Sequence, residues 1–174
     1  MKPVAIISNR PGLTDIPLGN EAVDVWGMNL GAYSDKRYNA IFEMHTMKYM
    51  LDTRPPIYFA WLSNQKIPIY ARERISDTTI LYPFNDVYKL TSKVIHKNKR
   101  LKFFTSTPVY AIALAIFQKR PKISLYGFEM LNETEYGTQR ESYAFWVGFA
   151  AGRGIELEII GSDSIFDQPL YGEI

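Results

Sequence analysis

The chain has 174 residues, enough for one domain with a sizeable core, and its 47% hydrophobic and 22% charged residues are typical of folded proteins. A formal net charge of +2 is too small to indicate nucleic acid as a bulk partner, and the absence of cysteine excludes disulfides and thiol chemistry. The apolar run near the N-terminus is too short for a signal peptide or a membrane span. We therefore expect a single domain over residues 1–174, cytoplasmic and with no membrane partner.

Short apolar runs alternate with helical patterns from one end of the chain to the other. In chain order, strands are expected at Val4 to Ile7, Val23 to Trp26, Ala40 to Phe42, Pro68 to Tyr70, Ile80 to Tyr82, Ile123 to Tyr126 and Ile155 to Ile160. Helices are expected at Thr46 to Leu51, Ile57 to Asn64 after a Pro-Pro start, Asn85 to Val94 with Asn85 or Asp86 as its cap, Ser106 to Phe117 and Glu141 to Ala151, and a basic loop at Ile95 to Lys102. Because the strands are continuous apolar runs, the pattern predicts an α/β fold, a three-layer Rossmann-like domain with a mostly parallel sheet.

Polar residues and glycines follow several strands, at the edge where parallel sheets bind their ligands. After the first strand, Asn9 would hydrogen-bond a phosphate or ribose and Gly12 would allow the backbone to approach closely. Asn, Pro and Gly are also the residues of an ordinary turn, so both interpretations stay open. The loop matches neither the dinucleotide fingerprint nor the Walker-type phosphate loop.

The second and third strands end in residues that suit recognition and acid–base chemistry. Asn29 carries an amide that donates and accepts, which fits the edge of a base or sugar, or the cap of a turn. Glu43 and His45 are two residues apart, so on an extended strand they face the same way. A metal site needs more ligands, and His96 is the only other histidine. We predict His45 as a candidate catalytic residue, Glu43 as a candidate ligand-binding residue, and no metal site.

The segment from Phe104 to Met130 has the pattern of a nucleotide site. Thr105, Ser106 and Thr107 precede a nearly all-apolar helix, where hydroxyls cap the free N–H groups and where the helix dipole attracts phosphate. The next strand ends at Gly127, where a backbone can approach a ligand closely.

Charged residues after Gly127 leave two interpretations each. Glu129, Glu133 and Glu135 would hold Mg²⁺ against a phosphate, or they form a solvated acidic loop. Arg140 would clamp a phosphate with its planar fork, or it pairs with a neighbouring carboxylate.

In this order the segments resemble the bacterial sialyltransferase-like superfamily, which includes small phage proteins and relatives of the archaeal pterin pyrophosphokinase. VAIISNRPGL (4–13) is similar to the opening strand and its G-[NS]-G-P-S-L loop, with Ser8 and Arg10 in place of glycines and Gly12 in place of the serine. VDVWGMN (23–29) is similar to the second strand, TSTPVY (105–110) to the T-S-G segment that cradles cytidine monophosphate, and ISLYGFE (123–129) to the I-x-L-x-G-x-D strand.

The resemblance implies that Asn9, Asn29 and residues 105–107 contact a nucleotide. Arg10 stands where a small glycine admits phosphate in the family, so it either clamps the phosphate or blocks the pocket. The family's general base is a histidine downstream of the I-x-L-x-G-x-D strand, and this chain has no histidine after Gly127. His45 and Glu129 are the remaining candidate bases.

Three functions follow as expectations. The first is a nucleotide or nucleotide-sugar binding protein resembling glycosyltransferases, phage-encoded and therefore in the host cytoplasm, with nucleic acid as a partner only in the role of acceptor. The second is a non-enzymatic binder that sequesters a nucleotide signal. The third is a diphosphate-transferring kinase with Mg²⁺ as cofactor, which only Glu129, Glu133 and Glu135 support. The many aromatic residues are compatible with a homodimer.

Overall fold

The computed structural model of the protein describes residues 1–8, 15–33, 37–96, 99–128, 137, 139–161 and 166. The strands are β1 (Val4–Ile7), β2 (Asp24–Met28), β3 (Ala40–Glu43), β4 (Ile69–Ala71), β5 (Thr79–Leu81), β6 (Ile95–His96), β7 (Lys99–Arg100), β8 (Lys122–Tyr126) and β9 (Glu156–Ile160). The helices are α1 (Met47–Thr53), α2 (Pro56–Ser63), α3 (Phe84–Val87), α4 (Thr107–Phe117) and α5 (Arg140–Gly152), with 3-10 turns at Asn29–Ala32 and Tyr88–Thr91. The strands predicted from the sequence are all present, with bounds that differ by one or two residues.

Two predictions between Phe84 and Lys102 are wrong. The helix expected over Asn85 to Val94 is only the short α3 followed by a 3-10 turn, and neither Asn85 nor Asp86 is its N-cap, a position that Pro83 occupies. The turn ends at the buried Thr91, whose hydroxyl donates to the carbonyl of Leu101 at 2.8 Å and so ties it to a residue ten positions further on. The expected basic loop instead contains β6 and β7, which pair antiparallel with His96 opposite Lys99.

The described strands form a seven-stranded parallel sheet in the order β5-β4-β3-β2-β1-β8-β9, apart from the separate β6–β7 pair. Helices cover both faces, and successive strand residues alternate between them. Ile6 and Phe42 pack with α4 and α5 on one face, while Ile41 and Ile69 pack with Met50 of α1 and Leu62 of α2 on the other. The α/β fold with a parallel, Rossmann-like sheet is therefore confirmed.

The strand order places a topological switch point beside β1. From β1 the chain builds outward through β2 to β5, and it then returns to lay β8 on the other side of β1. In open α/β sheets, ligands bind at such a point, beyond the carboxyl ends of the strands. The described helices include none that is both long and apolar enough to cross a membrane.

Candidate functional site

The first turn of α4 lies at the carboxyl edge of the sheet, and its side chains do not cap the helix. Ser106 occupies the N-cap position in an extended conformation, with φ −154° and ψ 157°, but its hydroxyl makes no capping bond. Among the described residues, the buried Ser106 Oγ has no hydrogen-bond partner at all. The predicted capping role is thus wrong for Ser106, because its hydroxyl bonds none of the helix N–H groups.

Asn29 connects the end of β2 to the start of α4. The Thr107 hydroxyl donates to Asn29 Oδ1 at 3.2 Å, across 78 positions of sequence. Asn29 has a φ of 49°, in the left-handed region that asparagine tolerates better than most residues. This bond engages the oxygen of the amide, so the NH2 group is the end of Asn29 that can donate to a ligand.

The carboxyl ends of β1 and β8 are joined beside this region. Ser8 donates its backbone N–H to the Tyr126 carbonyl at 3.0 Å and its hydroxyl to the Gly127 carbonyl at 2.6 Å. Gly127 has a φ of 70°, so glycine is needed there for the turn itself, and its N–H donates to the Ile160 carbonyl at 2.7 Å. The two strands that flank the switch point therefore end in a hydrogen-bonded unit.

A second polar cluster surrounds Glu43 at the end of β3. The carboxyl group is fully buried, and its two oxygens have different partners. Tyr58 of α2 donates its hydroxyl to Oε2 at 2.5 Å, while His45 Nδ1 lies 2.6 Å from Oε1. The His45 backbone N–H also donates to Oε1, at 3.2 Å. Glu43 and His45 thus lie side by side as predicted, and they are joined by Tyr58, which no sequence pattern singled out.

Aromatic stacking completes the surroundings of His45. Its ring stacks on that of Tyr49, with centroids 4.5 Å apart and an interplanar angle of 13°. The Arg54 guanidinium lies over the Tyr49 ring, 5.6 Å from its centroid. Burial, the charge of Glu43 and the hydrogen bond to it together raise the pKa of Tyr58 far above its ordinary value, so this phenol stays protonated as a donor.

The remaining predicted residues are placed as follows. Thr105 is exposed just before α4, and Arg140 is the first residue of α5. Asn9, Arg10, Gly12 and Glu129 lie outside the described residues, as do Glu133 and Glu135 of the proposed Mg²⁺ cluster. Within the described part of the chain, no group of three or more histidine, cysteine or acidic side chains could hold a metal ion.

Solved structures of bacterial sialyltransferases share this architecture. The sialyltransferase CstII from Campylobacter jejuni in complex with cytidine-5'-monophosphate matches with a TM-score of 0.53 at 19% identity, over 91% of this chain and 79% of that one. CstII in complex with CMP-3FNeuAc matches with a TM-score of 0.56 at 18% identity, over 91% and 80% of the two chains. The apo form of α-2,3-sialyltransferase from Campylobacter jejuni matches with a TM-score of 0.53 at 18% identity, over 95% and 77%.

At such identities the similarity is one of fold. No family model matches this sequence, and no curated protein matches it significantly. The phage origin expected from the resemblance finds no support in these comparisons. The protein has a sialyltransferase-like, Rossmann-like α/β fold, with its polar clusters at the carboxyl edge of the sheet.

Proposed function

We propose that the protein binds a nucleotide or nucleotide-sugar at the carboxyl edge of its sheet, with a phosphate at the start of α4. The observation that carries this proposal is the unpaired, buried hydroxyl of Ser106 at the N-terminus of an eleven-residue helix. A buried polar group without a partner costs free energy in the ligand-free protein, and a phosphate oxygen would satisfy it. The helix dipole attracts the same anion.

The neighbouring residues support a ligand larger than a phosphate. Asn29 is held by Thr107 beside the start of α4, so its NH2 group would donate to a ribose or base while Ser106 bonds the phosphate. The switch point beside β1 lies at the same edge, next to the Ser8–Gly127 bond. Two of the similar structures contain cytidine monophosphate or an analogue of its sugar conjugate, which makes cytidine nucleotides the first ligands to test.

The residues at this edge support nucleotide binding more directly than they support a catalytic reaction. A transferase and a non-enzymatic binder that sequesters a nucleotide signal would use the same edge, and the sequence has no histidine after Gly127 to act as base. A diphosphate-transferring kinase would hold Mg²⁺ through Glu129, Glu133 and Glu135, which are outside the described residues. The described acidic side chains lend that third function no support.

Isothermal titration calorimetry with cytidine, adenosine and guanosine monophosphates, each compared with its nucleoside, tests the proposal. We expect the nucleotide to bind and the nucleoside to bind at least ten-fold more weakly, because the phosphate contacts α4. Ser106→Ala should weaken nucleotide binding by about ten-fold to a hundred-fold, the value of one hydrogen bond to a charged group. Ser63→Ala, at the end of α2 and thus at the opposite edge of the sheet, is the matched control and should bind normally.

The stability of the ligand-free protein provides a second test of the proposal. Because the Ser106 hydroxyl is unpaired, its removal should leave the free energy of unfolding unchanged or slightly higher. Absence of binding by every nucleotide at millimolar concentration would refute the proposal.

A further inference from the structure

We propose that Glu43 and Tyr58 hold His45 as a general base at the same edge of the sheet, on the face opposite to α4. The inference rests on the proposed nucleotide-sugar binding and assigns the residue that would activate the attacking hydroxyl group. The observation behind it is that the fully buried carboxyl group of Glu43 contacts two side chains. Tyr58 Oη bonds one of its oxygens and His45 Nδ1 contacts the other.

The hydrogen bonds determine which ring nitrogen can accept a proton. Glu43 receives donors at both oxygens, from the Tyr58 hydroxyl and the His45 backbone N–H, as an ionised carboxylate does. In that arrangement His45 Nδ1 carries the proton of the neutral ring and donates it to Oε1 over 2.6 Å. Nε2, at the other edge of the ring, is then the basic nitrogen, and Glu43 stabilises the imidazolium that forms when Nε2 is protonated.

The ring is held in place and still accessible. Tyr49 stacks on it at a centroid distance of 4.5 Å, and the Glu43 bond fixes its rotation. The His45 side chain is 28% exposed although Glu43 is 0% exposed, so solvent and ligands reach the histidine and not its partner. A base must combine a fixed orientation with access to its substrate, and His45 has both.

The sheet register places this cluster next to the nucleotide-binding residues. Met28, the last residue of β2, pairs with Phe42, so Asn29 directly follows β2 while Glu43 ends the neighbouring β3, and adjacent strands lie about 4.8 Å apart. Asn29 reaches Thr107 on the α4 face, while Glu43 reaches Tyr58 on the α1–α2 face. A sugar attached to a phosphate at α4 would therefore cross the strand ends toward His45.

The reaction that this geometry supports is substitution at the anomeric carbon of a nucleotide-sugar. His45 Nε2 takes the proton of a hydroxyl group as its oxygen forms a bond to that carbon. The bond from the carbon to the phosphate oxygen breaks, and its electron pair leaves with the nucleotide. Water as the nucleophile yields free sugar, whereas the hydroxyl group of an acceptor sugar yields a glycoside. Both reactions would use the same base and differ only in the nucleophile.

The same contacts could serve only to tie the end of β3 to α2, so the test needs a readout of the ring itself. His45 and His96 are the only histidines, and His96→Gln leaves one histidine for ¹⁵N–¹H correlation spectra of the neutral ring. We expect a protonated Nδ1 and an unprotonated Nε2 in the intact protein. The reverse tautomer would overturn the proposal, because Nε2 could then not act as the base.

Turnover is measured with CMP-linked and UDP-linked sugars, in water alone and with a galactose-containing acceptor. His45→Gln should lower kcat by at least a hundred-fold while the dissociation constant of the free nucleotide stays within two-fold. Glu43→Gln should lower kcat ten-fold to a hundred-fold at an unchanged KM, because the amide keeps the shape but not the charge that stabilises the imidazolium. Glu156→Gln, an exposed residue at the start of β9, is the matched control and should leave both values unchanged.

The outcomes separate this inference from the proposed function. Nucleotide binding without turnover of any sugar conjugate would overturn the catalytic role and leave the binding proposal intact. So would a kcat for His45→Gln within three-fold of the unaltered protein. Release of sugar in water alone identifies a hydrolase, and a new glycoside with the acceptor identifies a transferase.

Discussion

Tyr58 donates its hydroxyl to Oε2 of Glu43 at 2.5 Å, joining the first turn of α2 to the carboxyl end of β3 inside the core. Replacing Tyr58 by Phe keeps the ring and its packing but removes the donor, which leaves one oxygen of a fully buried carboxyl group unpaired. We expect the free energy of unfolding to fall by about 1–3 kcal/mol. Urea denaturation followed by circular dichroism measures it.

A matched control is available in the same aromatic group. Tyr33 contacts the Tyr58 ring edge-on at 6.2 Å, and it is exposed at the surface. Tyr33→Phe should change the free energy of unfolding by less than about 0.5 kcal/mol, as is usual for surface substitutions. Equal effects of the two substitutions would contradict a specific role for the Tyr58–Glu43 bond.

Asn29 combines a backbone requirement with a side-chain bond, and two substitutions separate them. Asn29→Gly keeps the positive φ of 49° available and loses only the bond to Thr107, so we expect a cost of about 0.5–1.5 kcal/mol. Asn29→Ala loses the same bond and also pays for the left-handed conformation, about 1–2 kcal/mol more. Chemical denaturation of both variants gives the difference, and an alanine variant as stable as the glycine variant would show that the conformation carries no strain.

Gly27 of β2 lies where no side chain fits. A Cβ built there would lie 2.9 Å from Cε1 of Tyr38 and 3.0 Å from Cβ of Ala32, under the aromatic ring that covers this strand. Gly27→Ala should destabilise the protein by about 1–3 kcal/mol through this overpacking. Thermal unfolding monitored by circular dichroism tests the expectation.

Gly148 of α5 is the opposite case and serves as the control. A Cβ there meets nothing within 4 Å, and the residue is in the interior of a helix. Gly148→Ala should raise the free energy of unfolding by about 0.5–1 kcal/mol, because alanine loses less conformational entropy on folding. A destabilised Gly148→Ala variant would contradict the open surroundings of this residue.

The buried hydroxyl of Tyr143 should make the folded protein less stable at alkaline pH. Burial raises its pKa above the usual range, as burial and neighbouring groups do for Tyr58 and Tyr82. The unfolded chain releases these protons near pH 10 while the folded chain keeps them, so their stabilising contribution is intact below about pH 10 and decreases as the pH rises further. Each tyrosine then lowers the free energy of unfolding by about 1.4 kcal/mol per pH unit.

Tyr143→Phe isolates one of these contributions. Among the described residues the Tyr143 hydroxyl has no hydrogen-bond partner, so its removal should not destabilise the protein at pH 7. Between pH 10 and 11 the variant should lose about 1 kcal/mol less than the unaltered protein, because the unfolded tyrosine is only half deprotonated at pH 10. Urea denaturation at pH 7, 10 and 11 provides the comparison, and parallel curves for the two proteins would contradict the raised pKa.

The local sequence pattern was sufficient to predict the strands of the sheet and most of the helices. Runs such as Val4 to Ile7 are apolar at every position because both faces of the sheet are covered, and that property is visible without coordinates. The segment from Asn85 to Lys102 was predicted incorrectly because its course depends on Thr91 bonding Leu101, ten residues further on. Such a bond leaves no periodic signal in the sequence.

The residues of the candidate site also differ in whether the sequence pattern could identify them. Asn29, Glu43, His45 and Ser106 could be selected from the sequence, since each is a polar residue at the end of a predicted strand or the start of a predicted helix. Tyr58 could not, because in IYFAWLSN it has the same pattern as a core residue that bonds nothing. Only the packing of α2 on the end of β3 turns its hydroxyl toward Glu43.

The sequence by itself determined the α/β class and the edge of the sheet at which the polar residues collect, because apolar periodicity and strand ends are local properties. Tertiary structure alone decided the partners: Thr107 for Asn29, Tyr58 for Glu43, and none for the hydroxyl of Ser106 among the described residues. Hydrogen bonds between residues far apart in sequence depend on the order in which strands are laid side by side. That order, with β8 returning beside β1, is a property of the whole fold.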